Sequence, residues 1–198
     1  MNTRVTSHAL RIRLGTVLRN WPRPVDEAIR EYLRSTGNTP AGGSFPGNNG
    51  FSEPYWILLP SWLHASYGKR KHAKHSDRAF LTDVLTAQYY LFLAFRIRDD
   101  LMDDTRTPPI LNLAVGRLLP EAGRIFSKHF RPGNSFWHVY RTCISGTAGA
   151  IRRIDDLQRS PETGLPKMLR AYARVNSVFR VGSAAVCRRH SRMADYPM

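Results

Sequence analysis

Cysteine is nearly absent from this sequence. Cys143 and Cys187 are the only two, and no CxxC or Cys/His spacing accompanies them. That excludes a disulfide scaffold and a zinc finger, and predicts two reduced core residues in a reducing compartment. Long apolar runs are missing too. The longest, "YYLFLAF" at 89–95, is far too short to cross a bilayer, so no transmembrane segment is expected and a cytoplasmic location follows. No acid precedes Asp26, and the opening "MNTRVTSHALRIRLGTVLRNW" carries arginines at 4, 11, 13 and 19. Without an uninterrupted apolar stretch it is not a secretory signal. Its amphipathic, Arg-rich character resembles a transit peptide or membrane-surface helix, with an ordinary basic surface helix as the simpler alternative. No strand-like alternation competes with the helical patterns, and GxSxG, P-loop, GxGxxG and HExxH motifs are all lacking. His72 and His75 in "KHAKH" have no third ligand in view and read as a basic solvated turn.

Lysine is scarce as well, with five residues against 25 arginines, and only 15 acids oppose them, for a net charge of +15. Such an excess favours a phosphate-bearing partner through long-range electrostatics, although a GC-rich genome raises arginine usage equally well. The 42% hydrophobic and 23% charged content is that of a folded globular chain rather than a disordered one. With 198 residues a sizeable core can be buried. Aromatics fall at helical core spacing, as in "FWHVY", and do not interleave with Lys/Arg as a base-stacking platform would.

The chain divides into residues 1–54, comprising N-terminal helices and a Gly/Pro/Asn-rich loop, and residues 55–198, a helical core. Two short helices are predicted within 5–34, separated by "WPRP"; in the second, Val25, Ile29 and Leu33 share a face. "TGNTPAGGSFPGNNGFSEP" at 36–54 marks a long loop. The longest helix is predicted from about Arg78 to Thr105, stopped by Pro108-Pro109, with further helices at about 111–129, 135–158 and 166–190. The fold class is all-α, a bundle of packed helices.

At the end of that longest helix, "RIRDDLMDD" places Asp99, Asp100, Asp103 and Asp104 within six positions. At ~100° per residue, Asp99, Asp100 and Asp103 fall in one sector about 100° wide. Like charges at i,i+4 cost a few tenths of a kcal/mol per pair. The negative end of the helix dipole adds roughly 0.3–1 kcal/mol for each exposed anion. A divalent cation reverses the sign of both terms. Mg²⁺ in particular takes one or two carboxylates and completes its shell with water and substrate phosphates. The competing explanation is a solvated helix end in which Arg96 pairs with Asp100 at i,i+4 and Arg98 or Arg106 softens the field. An EF-hand loop is excluded, because alternating ligands around a central Gly are absent.

"DDLMD", Asp99 to Asp103, resembles the first aspartate-rich motif, DDxxD, of isoprenyl (polyprenyl) diphosphate synthases in the class I, trans-type terpenoid synthase superfamily. The chain looks like a truncated or divergent member of it. "YGKRKH" is similar to the element with which that family binds its second diphosphate, and "YARVNSVFRVGSAAVC" resembles a later helix with one basic residue among small ones. The resemblance implies a terpenoid synthase-type bundle, incomplete at its C-terminus because no second aspartate-rich motif follows. "IDDL" at 154–157 echoes the first but sits among arginines, as a surface ion pair would. The resemblance further implies an Mg²⁺-dependent prenyl transferase. Asp99, Asp100 and Asp103 would be catalytic and would ligate the metal together with Asp104. Lys69, Arg70, Arg106 and Arg180 would bind an allylic isoprenyl diphosphate substrate, and a homodimer is an expected state. The alternative, resting on charge alone, is a basic helical protein that binds nucleic acid or an anionic membrane surface.

Overall fold

A computed structural model describes residues 12–36, 55–68, 75–103, 106–159 and 164–190, and all the regular structure among them is helical. Residues 12–18 form α1. They are followed by α2 (Arg23–Thr36), α3 (Tyr55–Gly68), α4 (His75–Asp103), α5 (Leu111–Ser127), α6 (Phe136–Gln158), α7 (Leu165–Val175), a 3₁₀ turn (Asn176–Phe179) and α8 (Arg180–Arg189). No helix of the described residues is long and apolar enough to cross a membrane. The Gly/Pro-rich loop expected at 36–54 lies outside them from residue 37 onward.

Helix α2 forms as its pattern dictates. Val25, Ile29, Tyr32 and Leu33 are buried, Asp26 lies in the positive first turn and Arg34 in the negative last turn. Helix α4 differs in kind. From Phe80 to Ile97 nearly every side chain is buried, and Val84, Leu85, Ala87, Leu91, Leu93 and Ala94 are wholly inaccessible. A helix apolar all round belongs at the centre of its fold. Here α5 packs most extensively on α4, with α3, α6 and α8 also against it. One core runs from Leu14 and Leu18 through α4 to Val186, so residues 12–36 share it with the rest of the chain. Both cysteines are buried and neither forms a disulfide, as their apolar context predicts.

The single helix expected over 166–190 is interrupted in the structure, for a reason local patterning does not carry. In an unbroken α-helix the Gly182 N–H would donate to the Val178 carbonyl, four residues earlier. Instead, the fully buried amide of Gln88 on α4 stands between them. Its Nε2 donates to the Val178 carbonyl (3.0 Å), and its Oε1 accepts from the Gly182 N–H (2.7 Å). One turn earlier the buried Thr147 hydroxyl of α6 accepts from the Val178 N–H (3.0 Å) and donates to the Val175 carbonyl (3.3 Å). Two side chains from other helices thus satisfy backbone groups that helical bonding would have used. Gly182 permits the approach: a Cβ there would lie 3.0 Å from Gln88 Oε1 and 3.2 Å from Pro60 Cγ of α3.

A second polar cross-link anchors the other end of α4. Asp83 receives the Arg13 guanidinium of α1 and lies 2.8 Å from His129 Nε2 at the end of α5, with Lys128 Nζ 4.0 Å away. Burial alone would push this carboxyl up, but hydrogen bonds from His129 and Arg13 outweigh it and hold the pKa at about 2.

Two outcomes follow. Gly182→Ala, which helix propensity alone would make stabilising by up to about 1 kcal/mol, is expected to destabilise by about 1–2 kcal/mol in urea unfolding, because the methyl overpacks Gln88 and Pro60. An unchanged or raised midpoint would contradict the contact. Asp83 is ionised more readily folded than unfolded, so its contribution is present above the unfolded carboxylate range and fades as pH falls from about 4 to about 2. Asp83→Asn should therefore cost about 2 kcal/mol at pH 7 and little at pH 2; equal losses at both pH values would refute this.

Candidate functional site

The acidic stretch occupies the last turns of α4, with the described chain resuming at Arg106 and the Pro108-Pro109 turn, where the Leu111 N–H bonds the Pro108 carbonyl (3.0 Å). Asp103 is exposed, while the Asp99 and Asp100 side chains retain 31% and 17% of their accessibility. The Arg96 guanidinium reaches both, 3.6 Å from Asp99 Oδ2 and 2.8 Å from Asp100 Oδ1. The i,i+4 pairing foreseen from the sequence is therefore present.

Asp100 has a second partner that no sequence pattern announces. The buried Tyr32 phenol on α2 donates to Asp100 Oδ2 at 2.6 Å, a short, charge-assisted bond. Burial, reinforced by this carboxylate, drives the Tyr32 ionisation far above its ordinary value, so the phenol remains a donor. In the sequence Tyr32 sits on the apolar face of α2 and reads only as core. Its role depends on α2 lying beside a residue 68 positions away. With one oxygen on Arg96 and the other on Tyr32, Asp100 is fixed in place.

Asp99 and Asp103 contrast with it. The Asp99 carboxyl is pushed above its ordinary range first by burial and then by the Asp103 charge one turn on, with Asp100 adding to this and Arg96 only partly relieving it. Asp99 therefore stays only partly compensated at an already negative helix end.

Between α2 and the end of α4 opens a cavity of about 610 Å³, whose walls include Tyr32, Ser35, Thr36, Arg96, Asp100 and Arg106. Of the residues singled out from sequence, Asp99, Asp100, Asp103 and Arg106 are thus brought to one end of the fold. Arg180 begins α8; its neighbour Phe179 lies tilted against Phe92 (5.9 Å between centroids), and Arg180 bears electrostatically on Cys143. Phe92 precedes Asp99 by seven residues, about 10 Å of helix. Lys69, Arg70 and Asp104 fall outside the described residues. Asp155, in the echo of the motif, pairs with Arg159 at 2.8 Å.

Among the described residues no three His, Cys, Asp or Glu side chains gather in a group that could hold a metal ion. The donor set that remains is the Asp99/Asp103 pair, with Asp100 held alongside. Two carboxylates suit Mg²⁺, which keeps several waters, and do not suit zinc or a dedicated calcium cage. Comparison with family models, with curated proteins and with solved structures finds no match to the chain.

Because ionising Asp99 is harder in the folded state, its charge costs stability above its folded pKa, and the cost disappears below the unfolded carboxylate range. Asp99→Asn is expected to raise stability at pH 7 by a few tenths of a kcal/mol, with the gain vanishing near pH 3. Thermal melts across that range check it, and a loss of stability at pH 7 would show that Asp99 is satisfied as it stands.

Proposed function

We propose that the chain is an Mg²⁺-dependent, isoprenyl diphosphate synthase-like prenyl transferase with a terpenoid synthase-type helical bundle, and that it binds an allylic diphosphate at the end of α4. The observation that carries this reading is the Asp99/Asp103 pair. These two carboxylates lie one turn apart in the last turns of a long, apolar, buried helix, and Arg96 only partly offsets the repulsion that Asp99 feels. The resemblance of "DDLMD" to the aspartate-rich motif supports it independently of the geometry.

In this reading Asp99 and Asp103 hold the cation. Asp100, clamped by Tyr32 and Arg96, keeps the helix end from fraying and sets the direction in which its neighbours point. Arg106, on the wall of the adjoining cavity, offers a guanidinium whose planar fork matches phosphate oxygens. Mg²⁺ bound there would neutralise charge on the departing diphosphate. Lys69 and Arg70 belong to the same proposal as contacts for a second diphosphate.

A ligand that binds only the folded state raises its melting temperature by mass action. With Mg²⁺ and a prenyl diphosphate together, the wild-type chain is expected to melt several degrees higher than with either alone. The double variant Asp99→Ala/Asp103→Ala should show no such rise. No shift in the wild type, or an equal shift in the double variant, would overturn the reading. Salt-sensitive binding to duplex DNA or anionic vesicles that the aspartate changes leave intact would favour the basic binding protein instead.

A further inference from the structure

Helices α6 and α7 enclose a groove of about 630 Å³ on a part of the molecule that shares no lining residue with the α2/α4 cavity. Its walls carry Arg153 from α6 and Lys167, Arg170 and Arg174 from α7, and no acidic side chain lines it among the described residues. The three α7 cations stand at i, i+3 and i+7, on one face of that helix. Arg170 Nε donates to the Pro166 carbonyl (3.1 Å), which steadies its guanidinium along the helix.

The floor comes from α6 and consists of small residues, Gly146 and Gly149 among them. A Cβ at Gly149 would meet nothing within 4 Å, so the space above it is open rather than filled by a neighbouring helix. Glycine inside a helix costs roughly 1 kcal/mol relative to alanine. Gly149, an exposed position, leaves this part of the groove floor without a side chain.

Four cations line one concave space, with no carboxylate beside them among the described residues, and together they raise a positive potential that an anion of high charge density relieves. We propose that the α6/α7 groove binds a diphosphate group, free or as the ester of a small molecule. One phosphate would leave cations unpaired, whereas a diphosphate presents enough oxygens to engage Arg153, Lys167, Arg170 and Arg174 together. The volume exceeds that of the anion itself and lies in the range of small-molecule pockets, leaving room for a substituent. The groove is concave and enclosed on two sides by helices, a shape suited to a small ligand rather than to the outer contour of a duplex.

Calorimetric titration of the full chain with inorganic diphosphate, and in parallel with ADP, tests this in EDTA. Chelation removes the Mg²⁺ on which binding at Asp99 and Asp103 depends, so the two sites are read separately. Saturable one-to-one binding is expected, weakened at least about tenfold by Lys167→Ala/Arg170→Ala, both exposed positions. Gly149→Leu, which fills the groove from a helical position with open space above it, should abolish binding while leaving the melting temperature unchanged or higher. Arg152→Gln on the same helix but outside the groove, and Asp99→Asn, should have no effect. Tighter binding of ADP than of diphosphate assigns an ester, and equal binding the free anion. The proposal is overturned if neither ligand binds, if Arg152→Gln weakens binding as much as the groove variants do, or if a short DNA duplex competes more strongly than diphosphate.

Discussion

Helix α4 is surrounded by protein over most of its length, and this burial governs the polar groups it carries. A buried polar side chain that lacks a partner costs roughly 1–3 kcal/mol, and a buried charge costs more. Asp83, Gln88 and Asp100 are therefore obliged to find partners on other elements. Asp83 finds Arg13 and His129, Gln88 finds the start of α8, and Asp100 finds Tyr32 on α2. Three polar residues spaced along one helix each fasten a different part of the chain. Apolar packing supplies the attraction between helices, while these contacts specify which turn of each neighbour lies against which turn of α4.

Charge is distributed with the same logic. The chain is strongly basic, yet its acids are placed where they do local work. Asp26 supports the α2 N-terminus, Asp83 closes a buried cluster, and Asp155 pairs one turn along α6. Asp99, beside Asp103, departs from this pattern, since Arg96 only partly relieves it. At the α6/α7 groove the imbalance has the opposite sign. Local electrostatic rules are broken in two separate places, and in folded proteins such departures concentrate where a ligand restores the balance.

Much of the architecture was legible from periodicity. The helices at α1, α2, α4, α5 and α6 follow from apolar spacing and from the Pro/Gly punctuation, because those elements bury a face that the sequence writes out directly. The break after Val175 was not legible, since it arises from Gln88 and Thr147, side chains from elsewhere in the chain that displace helical bonding. The candidate site divides in the same way. The aspartates and Arg106 announce themselves as a local pattern, but Tyr32 does not, because a core tyrosine and a carboxylate clamp look alike until two distant helices are brought together. The α7 cations at 167, 170 and 174 carry no site signal in the sequence, because only the fold sets opposite them a floor of small α6 residues and another arginine.

The insertion of Gln88 into the start of α8 bears on the order in which the molecule assembles. The backbone groups it satisfies lie 90 and 94 residues further along the chain. Contacts of such sequence separation form late, after the entropy of closing the intervening loop has been met. Without α4 the Val178 carbonyl and Gly182 N–H have no amide between them. The break between α7 and α8 therefore belongs to the docked state and not to the segment's own sequence. The last described element takes its form from a surface that the earlier helices supply.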